Sequence, residues 1–333
     1  MRILTQMWIV LLAAATCFAA DASGFKITQR WPVSGDGGFD YVFFDSSSNR
    51  LYVSHGTQVN VLDSNSGKEL GEVKPLAGVH GVAIVPGLNL GFATNGKSSS
   101  VTVFDTNSFQ IKKSISVGED PDYVFYDAGT KRVFVCHGDA KIITVIDPEK
   151  QSVVGKVDVG DGAEAAVVDG KGNGFVNLEE SAIVVNFDSQ TFAVKQKWPI
   201  TGCKTPTGLA IDVPNSRLFI GCRSKVLAVM DSTNGKVLTT LPIGERVDAA
   251  AFDADNKLIF ASNGGGTVSV VRQKSANEYE SVGEIQTQKS GKTMAFDPKS
   301  KRIFVAAADV EAAAGGKMTP KPGTLKILVV ERQ

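Results

Sequence analysis

The stretch Phe39–Asp63, FDYVFFDSSSNRLYVSHGTQVNVLD, decides the fold, because the chain repeats it. It holds three short apolar runs, FDYVFF, RLYVSH and QVNVLD, and each run ends in turn-forming residues. The copy at Pro121–Asp147, PDYVFYDAGTKRVFVCHGDAKIITVID, is nearly literal. Other copies begin GLAIDVPNSRLFIGC at Gly208, AAAFDADNKLIFASN at Ala249 and TMAFDPKSKRIFVAA at Thr293.

The turn residue of the first hairpin gives the period of the repeat. It falls at Asp45, Pro86, Asp127, Asp169, Asp212, Asp253 and Asp297, which are 41, 41, 42, 43, 41 and 44 residues apart. A period near 42 with strand-like runs and no helical pattern is typical of a β-propeller blade. The sequence therefore predicts an all-β, seven-bladed propeller. Its blades are expected at approximately 37–78, 79–119, 120–161, 162–203, 204–245, 246–288 and 289–333.

The two ends of the chain complement each other. Phe25–Val33, FKITQRWPV, is a strand with no hairpin partner beside it, and the seventh copy stops after its third strand, Leu325–Glu331. The earlier copies have a fourth strand, and QKWPI in copy four looks like QRWPV in the N-terminal strand. An open ring would leave two unpaired strand edges. We therefore expect strand 25–33 to complete blade seven and close the ring.

The N-terminus is typical of a secretory signal peptide. Arg2 gives a positive start, and Met7–Ala15 is an apolar run too short to span a bilayer as an anchor. Small residues follow, with cleavage expected after Ala19 or Ala22. The sequence thus predicts a signal peptide at 1–22 and a periplasmic or secreted propeller at 23–333, without stable membrane insertion. A formal net charge of +0 disfavours a nucleic-acid partner.

Three cysteines lie beyond the predicted cleavage site. Cys203 precedes the first strand of copy five, and Cys222 ends its second strand, so both belong to the same edge of the blade. A disulfide between them stays open at this point, because the sequence does not determine the distance between their Cα atoms. Cys136 takes the repeat position of Ser54, and we expect a buried free thiol there.

Several copies resemble a known repeat family. DYVFFD, RLYVSHGT, GVHGVAI, PTGLAI, GCR, VDAAAFD, FASNGGGT and MAFDPKSKRIFV are similar to YVTN-type β-propeller repeats, in particular to those of exported YncE-like proteins. The resemblance covers Phe25–Arg332. It implies a periplasmic or secreted propeller and carries no established reaction or cofactor. Propellers serve as enzymes and as binding scaffolds, so the fold alone does not name the function.

Polar residues collect where strand one of each blade begins and strand two ends. Antiparallel pairing places these positions at one edge of the blade, and the seven edges meet at one mouth of the channel. Counting five residues outward from the first hairpin turn pairs Asp40 with His55, Asp122 with His137, and Asp248 with Asn263. The other candidate ligand-binding residues at this mouth are His80, Glu164, Arg223 and Lys292.

The mouth has three interpretations. Each Asp–His pair could be a cross-strand hydrogen bond that stabilises its own repeat. The mouth could instead bind a small polar ligand or a side chain of a protein partner. In the third interpretation, His55, His80 and His137 with Asp40 and Asp122 hold a metal or act in a hydrolase or lactonase. The sequence favours a monomeric binding or scaffold module over an enzyme and identifies no cofactor.

The repeat breaks in blade seven. Ala308–Gly323, ADVEAAAGGKMTPKPG, intervenes between its second and third strands, with two prolines, a Gly-Gly pair and no strand alternation, so a loop is predicted. Connections after strand two lie on the mouth face. Because blade seven adjoins blade one, we expect this loop to fold over the mouth near these blades and to control access.

Overall fold

Seven antiparallel sheets of four strands make up the fold, which confirms the predicted seven-bladed propeller. The structure is a computed structural model and describes Ala22, residues 24–312 and residues 318–333. Apart from Ala22, the predicted signal peptide lies outside the described residues. Within those ranges the only helical segment is the short 3-10 turn Gly96–Ser98. No helix there is both long enough and apolar enough to cross a membrane.

The strands follow the predicted repeat. The first strand in the sequence, β1 (Phe25–Pro32), belongs to blade seven. Blades one to three contain β2 (Phe39–Asp45), β3 (Arg50–His55), β4 (Gln58–Asp63), β5 (Glu69–Val73), β6 (Val79–Val85), β7 (Leu90–Asn95), β8 (Ser100–Asp105), β9 (Ile111–Ser116), β10 (Pro121–Asp127), β11 (Arg132–His137), β12 (Ile142–Asp147) and β13 (Ser152–Asp158). Blades four to six contain β14 (Ala163–Val168), β15 (Asn173–Leu178), β16 (Ile183–Asp188), β17 (Val194–Pro199), β18 (Pro206–Asp212), β19 (Arg217–Cys222), β20 (Val226–Asp231), β21 (Val237–Pro242), β22 (Val247–Asp253), β23 (Leu258–Asn263), β24 (Thr267–Ser275) and β25 (Glu278–Gln286). The rest of blade seven contains β26 (Thr293–Phe296), β27 (Ile303–Ala307), the hairpin strands β28 (Val310–Ala312) and β29 (Met318–Pro320), and β30 (Lys326–Arg332).

Blade seven joins the two ends of the chain. Its strand order is β1-β30-β27-β26, and β1 pairs antiparallel with β30 from Phe25 opposite Arg332 to Pro32 opposite Lys326. The first strands of neighbouring blades contact one another all the way round, so β26 touches both β22 and β2. The predicted closure of the ring by the N-terminal strand is confirmed.

The core lies between the blades rather than within them. Seven apolar clusters fill the seven spaces between neighbouring sheets. In one of them, fully buried Phe134 of blade three and Phe187 of blade four have ring centroids 5.8 Å apart. A single four-stranded sheet has two apolar faces and cannot cover both by itself, so each blade depends on both neighbours.

Two glycines allow an indole of one blade to lie against the last turn of the next. An ideal Cβ atom at Gly67 would be 2.2 Å from the ring of Trp31, and one at Gly235 would be 2.0 Å from the ring of Trp198. Both glycines have positive φ, +71° and +74°. Only glycine permits this conformation and this close approach together, so these turns fix the spacing of adjacent blades.

A β-bulge changes the pairing that the sequence count assumed. In blade one Phe39, not Asp40, lies opposite His55, and the register shifts between Phe39 and Val42. In blades three and six the residues opposite His137 and Asn263 are Pro121 and Val247, with the same irregularity. The predicted pairs Asp40–His55, Asp122–His137 and Asp248–Asn263 are therefore wrong. The extra residue in strand one frees each aspartate from the ladder.

Cys203 and Cys222 form a disulfide with a Cα–Cα distance of 5.5 Å. The bond connects the loop that enters blade five to the end of β19, and both residues are buried. Cys136 is a free, fully buried thiol, as predicted from its repeat position. Burial raises the pKa of this thiol well above its usual value, so Cys136 is a small core residue rather than a nucleophile.

The segment predicted as an irregular loop in blade seven contains a hairpin instead. β28 and β29 pair antiparallel from Val310 opposite Pro320 to Ala312 opposite Met318, and residues 313–317 lie outside the described residues. The Lys321 amide donates to the Asp309 carbonyl at 2.7 Å and closes the base of the hairpin. The prolines and the Gly-Gly pair suggested a loop, but the flanking segments Val-Glu-Ala and Met-Thr-Pro pair over three residues each.

Candidate ligand site at the channel mouth

Eight charged side chains, drawn from all seven blades, converge at one mouth of the channel. We call them the mouth cluster: Asp40, His80, Asp122, Glu164, Glu179, Arg223, Asp248 and Lys292. Asp40, Asp122 and Asp248 share one repeat position, inside the bulge of strand one. Because the bulge removes them from the ladder, their carboxylates reach residues of neighbouring blades.

One part of the mouth cluster is built on His80. Its Nδ1–H donates to Asp40 Oδ2 at 2.7 Å and lies 3.5 Å from Asp122 Oδ1. Asp122 Oδ1 is buried and accepts no hydrogen bond among the described residues. Tyr41 donates its hydroxyl to the other oxygen, Asp122 Oδ2, over 3.5 Å. One imidazole thus bridges the carboxylates of blades one and three.

The other part is a chain of ion pairs. Lys292 Nζ lies 3.4 Å from Asp40 Oδ1 and 3.4 Å from Asp248 Oδ2. Arg223 continues the chain, with Nη2 3.7 Å from Asp248 Oδ1 and Nη1 2.7 Å from Glu179 Oε1. Asp248 is buried, whereas the side chains of Lys292 and Arg223 stay partly open to solvent. Lys292 and Arg223 therefore hold the carboxylates of three blades, one, four and six, in place.

The pKa values within the mouth cluster diverge. Burial opposes ionisation of Asp40, but the hydrogen bond from His80 and the charge of Lys292 outweigh burial and lower the pKa of Asp40. The hydrogen bond to Asp40 raises the pKa of His80, against the effect of burial. Burial also opposes the charge on Lys292, yet Asp248 and Asp40 raise its pKa. The contacts among these three groups thus favour the charged form of each.

Two carboxyl groups behave in the opposite way. Burial raises the pKa of Asp122 well above its usual value, and the negative charges of Asp40 and Asp120 add to the effect. Burial likewise raises the pKa of Glu164 well above its usual value, with Asp122 and Glu179 adding to it. Glu164 receives no side-chain hydrogen bond from another described residue. The mouth cluster contains five carboxyls and three bases, and these two carboxyls lack a full counter-charge.

A cavity of about 130 Å³ continues from the mouth into the channel. All seven blades line it, and Asp248 belongs both to its wall and to the mouth cluster. Tyr41 and Tyr123 also line it, with ring centroids 5.3 Å apart in an edge-to-face arrangement. Burial raises the pKa of Tyr123 to about 12, so its hydroxyl stays neutral. The channel thus offers aromatic walls below a charged rim.

Most of the predicted site residues meet at this mouth. Asp40, His80, Asp122, Arg223, Asp248 and Lys292 are joined by the contacts above, and Glu164 interacts with Asp122, Asp248 and Arg223 through its charge. Sequence reasoning missed Tyr41, Tyr123 and Glu179. The tyrosines could have been found, because both occupy the Y of the repeated DYVF pattern, directly after the bulge aspartate.

The other three predicted residues are elsewhere. His55 is buried and donates from Nδ1 to the Ser34 carbonyl at 3.0 Å. His137 is fully buried, with Nδ1 2.6 Å from the Glu119 carbonyl oxygen and Nε2 2.9 Å from Thr144 Oγ1. Burial lowers the pKa of His137, so its ring is neutral.

Asn263 is fully buried too, and its Nδ2 donates to the Ala261 carbonyl and to the hydroxyls of Thr267 and Ser269. All three residues end strand two of their blade, one strand away from the channel. The predicted three-histidine metal set is therefore wrong, because only His80 of the three reaches the mouth cluster.

Sequence similarity to a curated protein covers only part of the chain. A 129-residue stretch, 38% of this chain, is 28% identical to the pre-rRNA-processing protein IPI3 of Meyerozyma guilliermondii. The match covers only 26% of that protein's length. No protein-family model matches the chain. The YVTN-type resemblance therefore stays a prediction.

Solved structures match over nearly the whole chain. Hydrazine synthase of Kuenenia stuttgartiensis has a TM-score of 0.72 at 17% identity, over 90% of this chain and 97% of that chain. U3-55K has a TM-score of 0.78 at 10% identity, over 92% and 99%. The WD40 repeats of RRP9 have a TM-score of 0.77 at 10% identity, over 94% and 99%. The fold is a WD40-like, seven-bladed β-propeller. Identities this low show the fold alone.

Proposed function

We propose that this protein is an exported binding module, and that the mouth cluster holds a positively charged group of its ligand or protein partner. The observation that carries the proposal is the excess of carboxyls over bases at a mouth to which every blade contributes. Burial and neighbouring carboxylates raise the pKa values of two of these carboxyls, Asp122 and Glu164. An ammonium or guanidinium group beside them would supply a counter-charge.

The cavity below the mouth supports the same class of ligand. Tyr41 and Tyr123 present aromatic surface next to carboxylates, and this combination favours organic cations. A cavity of about 130 Å³ admits the end of an amine or of a lysine side chain rather than a large ligand. An anionic partner such as nucleic acid would face Asp40, Asp122 and Asp248 at the channel entrance.

Export is part of the proposal. Disulfides persist in the periplasm and outside the cell, and they are rare in the cytosol of most organisms. The buried bond between Cys203 and Cys222 supports such a compartment, as does the predicted signal peptide at residues 1–22.

Amine binding tests the proposal directly. In isothermal titration calorimetry at low salt, agmatine, putrescine or a blocked lysine dipeptide should bind wild-type protein, whereas succinate should not. Glu164→Gln should weaken amine binding about tenfold, because it removes a charge worth about 1.4 kcal/mol. Glu149→Gln, which changes an exposed glutamate on the outer part of blade three, should leave the affinity unchanged. Selective binding of succinate, or equal amine affinity in wild type and Glu164→Gln, would contradict the proposal.

The hairpin of blade seven is proposed to control access to this mouth. Asp309 and Lys321 already form a closing pair, so residues 310–320 can be replaced by Asn-Gly, a two-residue turn that suits this geometry. The ring should keep its melting temperature, because no blade strand changes. The association rate of the amine probe should rise several-fold in stopped-flow measurements. An unchanged rate would show that the hairpin does not gate the mouth.

A further inference from the structure

His80 and its two carboxylate neighbours have the composition and spacing of a metal site. His80 Nδ1, one oxygen of Asp40 and one oxygen of Asp122 all lie within 4.8 Å of one another. A tetrahedral ion with ligands at about 2.0–2.2 Å separates its ligand atoms by roughly 3.5 Å. The Nδ1 atom is 2.7 Å from Asp40 Oδ2 and 3.5 Å from Asp122 Oδ1, so small rotations of the side chains would suffice.

The surroundings of these three residues also leave one carboxylate oxygen without a hydrogen-bond donor among the described residues. Asp122 Oδ1 is buried without a hydrogen bond, although it lies beside an imidazole N–H that is already directed at Asp40. Buried carboxylate oxygens usually have a partner, and a bound cation is one explanation of such an exception. The three residues come from blades one, two and three, whose strands are fixed by the ring, so the backbone that carries the ligands is held in position before an ion arrives.

We propose that Asp40, His80 and Asp122 bind a divalent transition-metal ion such as Zn²⁺ or Co²⁺ at the channel mouth. The ion takes the place of the proton on His80 Nδ1, which passes to solvent, and bonds form to Nδ1 and to one oxygen of each aspartate. Three protein ligands leave one coordination position open. A donor group of a ligand or a water molecule can fill that position. The proposal rests on the proposed function, since both place a cation at the mouth.

The positive charge of Lys292 should lower the affinity of this site for a metal ion. Its Nζ is 3.4 Å from Asp40 Oδ1, whereas the contact with His80 uses the other oxygen, Oδ2. The lysine therefore does not occupy the oxygen that the ion needs, but its charge repels the ion. Removing that charge by Lys292→Met should tighten metal binding about tenfold, as expected for charges several ångströms apart in a partly hydrated site.

The experiment is a titration of EDTA-treated, dialysed protein with Co²⁺, followed by d–d absorption, and with Zn²⁺, followed by calorimetry. Wild type should bind one ion, and His80→Gln and Asp122→Asn should each weaken binding at least about 100-fold. Asp255→Asn is the matched control, because Asp255 is exposed and pairs with Lys301 away from the mouth. Melting curves without metal check that each variant is folded.

The possible results separate the two proposals. Absence of stoichiometric binding to wild type overturns the metal site, as does unchanged affinity in His80→Gln or weaker affinity in Lys292→Met. If the metal site fails while amine binding depends on Glu164, the proposed function stands without it. If neither the metals nor the amines bind, both proposals fail.

Discussion

A chain that begins at Ser34 instead of Ser23 is expected to lose the cooperative fold. The truncation removes β1, leaves the full edge of β30 unpaired and uncovers the apolar face between blades seven and one. Loss of buried Trp31 alone is worth about 3–5 kcal/mol. A typical domain has only about 5–15 kcal/mol of stability, and the loss of Val33 and of the strand pairing comes on top. Circular dichroism and thermal melting measure the result.

Two point variants make this test more selective. Trp31→Ala keeps the strand but empties its main packing position, and it should cost about 3 kcal/mol or more of the free energy of unfolding. Arg30→Ala changes the exposed neighbour on the same strand and should stay within about 0.5 kcal/mol of wild type. If the truncated chain melts at the wild-type temperature, ring closure by β1 does not stabilise the fold.

Loss of the disulfide is expected to cause the second large decrease in the stability of the fold. Cys203 and Cys222 are 19 residues apart, and closing a loop of this length in the unfolded chain is worth about 3 kcal/mol. The double variant Cys203→Ala, Cys222→Ala should lose about that much stability in urea unfolding. Because Cys222 is fully buried, alanine is preferable to serine, which would bury an unpaired hydroxyl.

Reduction of wild type provides the control for this variant. Wild-type protein unfolded in the presence of a reductant should resemble the double variant, because both lack the cross-link. The reductant should not alter the double variant itself, since buried Cys136 has no disulfide partner. A stability difference below about 1 kcal/mol between oxidised wild type and the double variant would contradict the expected contribution.

The mouth cluster has a structural role as well as the proposed binding role. Asp248 is buried, and Lys292 and Arg223 both pair with it, so each partner offsets the cost of burying that charge. Lys292 belongs to blade seven and Asp40 to blade one, which places an ion pair across the same seam that β1 closes. The side chains of Lys292 and Arg223 are partly exposed to solvent. Their ion pairs should therefore be weak enough to rearrange when a ligand binds.

The blades could be predicted because their signals are local. Each inner strand is a short run of mostly apolar residues, and β7 and β19 are buried along their whole length, whereas the turns between strands carry Asp, Asn or Gly. The repeat of the pattern near 42 residues then predicts the number of blades. Even the closure of the ring was predictable, since the unmatched strand at Phe25–Val33 complements the blade that lacks its fourth strand.

The composition of the mouth could be predicted only in part. The repeat places Asp40, Asp122 and Asp248 at one edge, and the structure brings them together there. From the residue count, His55 and His137 at the end of strand two were expected to lie beside Asp40 and Asp122. A single extra residue in strand one shifts the register and separates these histidines from the aspartates. A bulge of this kind has no distinct sequence signature, because it results from how the strand packs around the channel.

Apart from the hairpin of β28 and β29, sequence alone determined the elements of this protein: the strands of its blades, their turns, the repeat and the strand that closes the ring. Each of these depends on the local preferences of neighbouring residues and on short apolar runs that are buried on both faces of a blade. Only the tertiary structure decided which charges meet. Lys292 and Asp40 are 252 positions apart, and a contact over such a distance exists only because seven blades curve into a closed ring. The pKa values of Asp122 and Glu164 depend on the same closure, since burial and neighbouring charges exist only once the ring has formed.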